Sequence, residues 1–165
     1  ILLFKSIYRE YFQPGITSMN MLKYISLFLI AIFATPAMSA DHVVKAVTTG
    51  SDGQMMVFEP GYIKVEVGDT ITFIPSDASH NAESIFSPSS DSSFATKLGQ
   101  TISIKFNQEG VYLYKCTPHF VMAMVGVTQV GSANNKDEAI AAWSPMAEMM
   151  AMNKGRMEKY LEQIN

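Results

Sequence analysis

The sequence predicts a mainly β fold, an antiparallel sandwich or barrel that is followed by two C-terminal α-helices. Three observations favour this fold class. Apolar and polar residues alternate with a period of two in several segments between residues 43 and 130, which is typical of half-buried strands. Turn residues separate these segments at the spacing expected of a small all-β domain. After Gly131 the alternation ends and helix-capping residues appear.

The N-terminal segment is interpreted as two stretches that precede the folded domain. Residues 1–18 come before the first methionine, and we interpret them as over-extended or untranslated sequence. Residues 19–39 contain one lysine, an apolar run from Ile25 to Phe33 and then small residues, the pattern of a secretory signal peptide. The apolar run is short for a membrane span. We therefore expect cleavage next to Ala40 and an exported protein; the alternative is a retained anchor helix.

The strands are expected in the segment 40–131, which we assign to the β-domain. The alternation predicts seven of them, at residues 43–49, 56–58, 62–67, 71–75, 101–106, 111–115 and 125–130. Between the fourth and the fifth strand, residues 84–99 are rich in serine, proline and aspartate. That composition predicts an irregular connection on the surface.

Residues 132–165 are predicted to form a helical extension of the same domain. Asn134 and Asn135 can cap a first helix that ends near Ala142. Pro145 is well placed to open a second helix that ends near Ile164, because proline is favoured at the first position of a helix.

The charge of the chain excludes one class of partner. The sequence has 12 basic and 15 acidic residues; without the N-terminal segment nine basic and fourteen acidic residues remain, a net charge of −5. No basic stripe is present, so we expect no nucleic-acid partner. We also expect a monomer without a membrane span in its mature form.

The most informative motif surrounds Cys116, the single cysteine of the chain. His119 and Met124 follow it on the loop between two predicted strands, and His80 follows an earlier strand. One thiolate and one thioether favour Cu(I), whereas imidazoles suit Cu(II), so this donor set accepts both oxidation states. Zinc would also accept two histidines and a cysteine but has little use for a thioether. His42, near the expected mature N-terminus, is predicted to have a structural role only.

Four stretches of the sequence resemble the pseudoazurins, which are small blue copper proteins of the cupredoxin (plastocyanin/azurin) superfamily. They are DGQMMVFEP (52–60), VEVGDTITFIP (65–75), SHNAES (79–84) and GVYLYKCTPHFVMAMVG (110–126). The two C-terminal helices are also characteristic of that group. The resemblance implies a cupredoxin-like Greek-key β-sandwich that holds one type 1 copper ion. It implies three equatorial ligands, His80, Cys116 and His119, and an axial ligand, Met124.

The resemblance also implies roles for residues around the ligands. Asn81 would brace the loops and donate its backbone N–H to the cysteine sulfur. Met56 would pack beside the exposed histidine, although its neighbour Met55 leaves this match open by one position. Pro118 would shape the hydrophobic patch through which electrons leave, and Lys115 would belong to the rim of that patch.

Three functions are compatible with these residues. The leading hypothesis is a periplasmic electron carrier without catalytic activity, whose partner is a redox protein such as a copper nitrite reductase or a cytochrome. Many pseudoazurins surround the patch with lysines, whereas this chain has Thr49 and Ala78 at likely rim positions. Fewer positive charges around the patch imply weaker electrostatic steering toward an acidic partner.

The second function is copper trafficking or storage by the methionines of the C-terminal helices, although the same residues could simply fill apolar gaps. They are Met146, Met149, Met150, Met152 and Met157. The third is a hydrolase with a Cys116 nucleophile, which lacks a convincing third member of a triad.

Overall fold

The computed structural model describes residues 39–165. The predicted segment 1–18 and all but the last residue of segment 19–39 lie outside the described residues. Within 39–165, no helix is long and apolar enough to cross a membrane.

The described chain forms eight strands and two α-helices. The strands are β1 (Asp41–Thr49), β2 (Met55–Glu59), β3 (Tyr62–Val65), β4 (Thr70–Pro75), β5 (Glu83–Phe86), β6 (Ile102–Lys105), β7 (Gly110–Lys115) and β8 (Val125–Val130). The helices are α1 (Lys136–Ala147) and α2 (Arg156–Leu161). The predicted mainly β fold with two C-terminal helices is therefore confirmed.

The strands form two four-stranded sheets, in the orders β2-β1-β4-β6 and β3-β8-β7-β5. β1 pairs with β4 in parallel, and β3 pairs with β8 in parallel, whereas the other neighbours are antiparallel. The expectation of an entirely antiparallel sandwich was wrong. Because β2 and β3 lie in different sheets, the chain crosses the sandwich between them, and β4 returns beside β1 in the same direction.

One strand was not predicted. β5 overlaps the beginning of the stretch 84–99 that was interpreted as irregular, and it pairs with β7 through a register shift between Ser84 and Phe86. All four of its residues are half-buried, so it shows no alternation between an inner and an outer face.

The sheet that contains β7 and β8 is covered on both faces, which explains why every residue of β8 and all but the last residue of β7 are buried. On one face Tyr112 and Tyr114 pack in the core between the sheets. On the other face Val111 and Leu113 form a second core with side chains of the C-terminal helices, among them Trp143. The second core therefore attaches the helical extension directly to the strand that leads to the predicted ligand loop.

The helix boundaries differ from the prediction. Pro145 lies inside α1, near its C-terminal end, and α2 begins only at Arg156, after Gly155 with a φ of 88°. Pro145 has no N–H to donate to the carbonyl of Ala141, four residues earlier, so the last turn of α1 lacks one helical hydrogen bond. Asn135 occupies the N-cap position, but its side chain bonds both backbone groups of Val111 instead of capping α1.

The single tryptophan lies next to the ligand loop. The indole Nε1 of Trp143 donates a hydrogen bond to Glu158 Oε1 at 2.8 Å. Its ring meets the ring of Phe120 edge to face, with 6.2 Å between the centroids.

A buried carboxylate anchors the start of β1. Asp69 accepts hydrogen bonds from the backbone N–H groups of Ala40 at 2.7 Å and Glu66 at 2.9 Å, and its Oδ2 lies 2.9 Å from His42 Nε2. These hydrogen bonds stabilise the ionised form and lower the pKa of Asp69 to about 2. His42 therefore has a structural partner well away from the ligand loop.

Candidate metal centre

Two loops at the same end of the sandwich bring the predicted ligands together. His80 lies in the loop that follows β4, and Cys116 follows directly after β7. A short 3₁₀ turn, Phe120–Met122, then reverses the chain between His119 and Met124. The backbone N–H of Cys116 donates to the carbonyl of Met124 at 2.9 Å, and this hydrogen bond closes the loop.

The donor atoms of three side chains converge on one point. Cys116 Sγ lies 3.8 Å from His80 Nδ1 and 3.5 Å from His119 Nδ1, and all three donor atoms lie within 4.8 Å of one another. No other group of three or more potential ligands drawn from His, Cys, Asp and Glu occurs among residues 39–165. Met124 is fully buried in the same core cluster as Cys116, whereas His119 is half-buried.

The pocket suits a soft cation better than it suits a nucleophile. Burial raises the pKa of the Cys116 thiol, an effect that backbone N–H groups of Asn81 and His119 only partly oppose. Burial likewise lowers the pKa of His80 and favours its neutral imidazole, the form that binds metals. Two imidazoles, a thioether and a thiol that loses its proton when a metal binds match the donor preferences of copper.

The ring of His80 is oriented by two residues that the sequence analysis did not single out. Thr48 Oγ1 lies 3.1 Å from His80 Nε2, and Asp77 Oδ2 lies 3.5 Å from the same nitrogen. Because these contacts occupy Nε2, the other nitrogen of the ring faces the sulfur. The contact with Asp77 could have been anticipated, because that residue precedes the histidine by only three positions. Thr48 lies on β1, far away in the sequence, and nothing in the sequence indicates its contact with His80.

Asn81 connects the two ligand loops. Its Oδ1 accepts a hydrogen bond from the Thr117 N–H at 2.8 Å, and its Nδ2 donates to Thr117 Oγ1 at 3.0 Å. Nδ2 also lies 3.3 Å from the carbonyl oxygen of Thr96. The side chain is largely buried, so these contacts fix the loop of His80 against the loop of Cys116.

The remaining predicted residues surround the centre. Met56 is partly buried against the core cluster that contains the cysteine, whereas Met55 is exposed and points away from that core. Pro118 is exposed beside the second histidine ligand candidate. Lys115 Nζ lies 3.6 Å from Glu83 Oε1, so the predicted rim charge has an acidic neighbour.

Comparison with known proteins identifies the family. Residues 44–131 match the family model described as copper binding proteins of the plastocyanin/azurin family. A pseudoazurin of Paracoccus pantotrophus is 39% identical over 134 residues, which cover 80% of this chain and 89% of that protein. The chain belongs to the plastocyanin/azurin family and, within it, to the pseudoazurins.

Two further relatives agree with this assignment. A putative pseudoazurin of Rhizobium leguminosarum bv. viciae is 41% identical over 133 residues, which cover 79% of this chain and 84% of that protein. The crystal structure of native pseudoazurin from Hyphomicrobium denitrificans matches with a TM-score of 0.64 and 31% identity, over 76% of this chain and 98% of that chain. The predicted family, its cupredoxin-like sandwich and its single copper cofactor are confirmed, and membership makes the chain a blue copper electron-transfer protein.

Proposed function

We propose that His80, Cys116, His119 and Met124 hold one type 1 copper ion through which the chain carries single electrons. The observation that carries this proposal is the convergence of two imidazole Nδ1 atoms on one thiol Sγ, with all three atoms within 4.8 Å of one another. Copper supplies the one-electron couple when it is bound. The protein supplies donors that suit both of its oxidation states.

The polypeptide contributes fixed geometry. His80 is held through its Nε2, and the loop between Cys116 and Met124 is closed by a backbone hydrogen bond. Donors that are already in place need little rearrangement when the oxidation state changes. This rigidity favours rapid electron transfer and gives a reason for the burial of three of the four donors.

The half-buried edge of His119 is the proposed exit for the electron. Exposed apolar side chains adjoin it, because Pro118 precedes the histidine and Val121, exposed to 48%, follows it. We propose a redox partner that docks on this surface mainly through apolar contact, such as a copper nitrite reductase or a cytochrome. The pairing of Lys115 with Glu83 supports a modest role for charge.

We further propose that the protein acts in the periplasm as a monomer and catalyses no reaction of its own. Export is supported by the leader-like composition of residues 19–39. A hydrolytic role for Cys116 is disfavoured because its side chain is fully buried, which denies a substrate access to the sulfur.

The C-terminal methionines divide into two groups. Met150 and Met157 are buried and Met146 is partly buried against the helix-covered core, which supports a packing role. Met149 and Met152 are more than half exposed. The alternative of copper trafficking therefore depends on these two thioethers.

The test of the proposal is the spectrum of the chain loaded with Cu(II). We expect intense visible absorption from sulfur-to-copper charge transfer, and we expect Cys116→Ala to abolish it. His42→Gln is the matched control, because His42 bonds Asp69 rather than the centre and should leave the colour unchanged. A colourless wild-type complex with the paramagnetic resonance of ordinary square-planar copper would refute the proposal.

A further inference from the structure

A buried arginine connects the C-terminal helix to the metal centre. Arg156, at the start of α2, is only 5% exposed. One terminal nitrogen of its guanidinium donates to the carbonyl oxygens of Met56 and Ala123, both at 2.7 Å. The other donates to the carbonyl of Met55 at 3.1 Å and lies 3.4 Å from Gln54 Oε1.

This cation is held by backbone carbonyls, and the carboxylate of Asp52 acts on it only from beyond ion-pair distance. Among residues 39–165, no carboxylate lies within ion-pair distance of the guanidinium, and its Nε is buried without a hydrogen-bond partner. Removing a charge from water in this way is costly, and an apolar side chain of similar length would avoid the cost. The residue is therefore best explained by the groups that it holds in place.

Two of the residues whose carbonyls the guanidinium binds have an unusual backbone conformation. Three non-glycine residues of the described chain have positive φ, namely Met56 at 51°, Ala123 at 58° and Asn153 at 51°. Such a conformation is unfavourable for residues with a Cβ atom and persists where neighbouring structure holds it. Arg156 bonds the carbonyls of all three, the first two through its guanidinium and Asn153 through its backbone N–H at 3.1 Å.

Ala123 is the residue through which the arginine acts on the ligand loop. Its left-handed conformation ends the 3₁₀ turn and redirects the chain into Met124. That redirection lets the carbonyl of Met124 accept the hydrogen bond from Cys116. Fixing the peptide of Ala123 therefore fixes the direction from which the thioether approaches the centre.

Met56 provides the second connection. Within the β1–β2 ladder, Met55 and Val57 have partners on β1, but Met56 has none, because its peptide is turned away toward the guanidinium. The unpaired position opposite it is Thr48, whose hydroxyl contacts His80. With one rigid group, Arg156 thus holds both the loop that carries Met124 and the part of β2 that lies opposite Thr48, the neighbour of His80.

We propose that Arg156 is a positioning residue for the copper centre, which fixes the Ala123 and Met56 peptides and thereby the placement of Met124. The inference rests on the proposed role of Met124 as axial ligand. A planar fork with several donors can bind these carbonyls at once, whereas a lysine ammonium cannot match that geometry. The axial ligand influences the redox potential, so the arginine sets that potential without touching the metal.

The test compares Arg156→Met and Arg156→Lys with two variants of the same helix. Lys159→Met removes an exposed cation, and Leu161→Ala weakens the helix by packing alone, since Leu161 is buried in the second core. The first readout is amide hydrogen exchange in the metal-free protein. It compares the N–H of Cys116, which closes the ligand loop, with the N–H of Phe106, which bonds the carbonyl of Asp69.

We expect Arg156→Met to accelerate exchange at Cys116 by about tenfold relative to Phe106, because the loop opens locally. We expect an altered charge-transfer spectrum and an about tenfold change in the ratio of Cu(I) to Cu(II) affinity, which is 59 mV for one electron. Arg156→Lys should show a smaller change of each kind. Lys159→Met and Leu161→Ala should leave the spectrum unchanged. Any change that they cause in the exchange rates should be equal for the two amides.

Equal acceleration of both amides in Arg156→Met, with a wild-type spectrum, would overturn the inference and leave the arginine a merely structural role. If Arg156→Met does not fold, Arg156→Lys supplies the same comparison. A wild-type protein without the charge-transfer band contradicts the proposed function instead. The two failures are therefore distinguishable.

Discussion

Replacing Asn81 with alanine tests how much the loops depend on one amide side chain. The substitution leaves the Thr117 N–H and the Thr96 carbonyl without the partners that they have in the wild type. A buried polar group left unpaired costs about 1–3 kcal/mol. Thr117 is itself exposed and water can reach part of its backbone, and the contact with Thr96 is long at 3.3 Å, so a cost of about 1–1.5 kcal/mol applies to each group. The expected loss is about 2–3 kcal/mol of unfolding free energy.

Urea unfolding of the metal-free protein measures this loss without a contribution from copper affinity. With a slope of about 1.5 kcal/mol per molar urea, the midpoint should fall by about 1.3–2 M. Thr72→Val is the matched control, because it removes one exposed hydrogen bond to Ser103 and keeps a β-branched residue in the strand. A midpoint for Asn81→Ala within about 0.3 M of the wild type would refute the reasoning.

Three further predictions follow from groups already described. The pKa of Asp69 is lowered from 3.8 to about 2 in the folded protein, so the ionised carboxylate contributes about 2 kcal/mol to the free energy of unfolding above pH 4. This contribution is lost as the pH falls toward 2. Urea midpoints of metal-free wild type and Asp69→Asn, measured between pH 4 and pH 2, should therefore converge. Glu83→Gln leaves Lys115 without its acidic neighbour and removes one negative charge. Acting over about 10 Å of water on the triply charged hexacyanoferrate(III), that charge is worth about 1.2 kcal/mol, so oxidation at low salt should accelerate by up to about eightfold. The gain should disappear at high salt, and an acceleration that persists there would contradict the electrostatic explanation. Titration with Cu(I) should saturate at one equivalent per chain in wild type and in the Met149→Leu, Met152→Leu double variant, whereas a higher stoichiometry that the double variant loses would favour trafficking.

The ligand loop could be anticipated because sequence distance and spatial distance coincide there. Cys116, His119 and Met124 lie on a single connection between two adjacent antiparallel strands, so their spacing alone restricts where the donors can meet. His80 follows a strand of the other sheet, so no sequence spacing places it beside them. It was included because a second imidazole completes a donor set that suits copper, and the resemblance agreed. The core strands were found for a similar reason, since burial of one or both faces leaves a direct record in the pattern of apolar residues.

Other features left no such record. The direction of a strand does not affect its alternation, which is why the parallel pairing of β1 with β4 escaped prediction. The half-buried β5 has no distinct inner face. Arg156 was missed because its main partners are backbone carbonyls, which every residue possesses, and the sequence therefore contains no complementary charge that would reveal it.

The position of Trp143 gives the protein a built-in optical reporter. The chain has one tryptophan, and its ring packs on Phe120, the residue that follows His119. Fluorescence from this indole therefore originates beside the centre and from nowhere else in the molecule. An oxidised blue centre absorbs visible light and can quench that emission by energy transfer, whereas a reduced centre is colourless. Emission intensity should therefore follow the oxidation state in real time, without any attached dye.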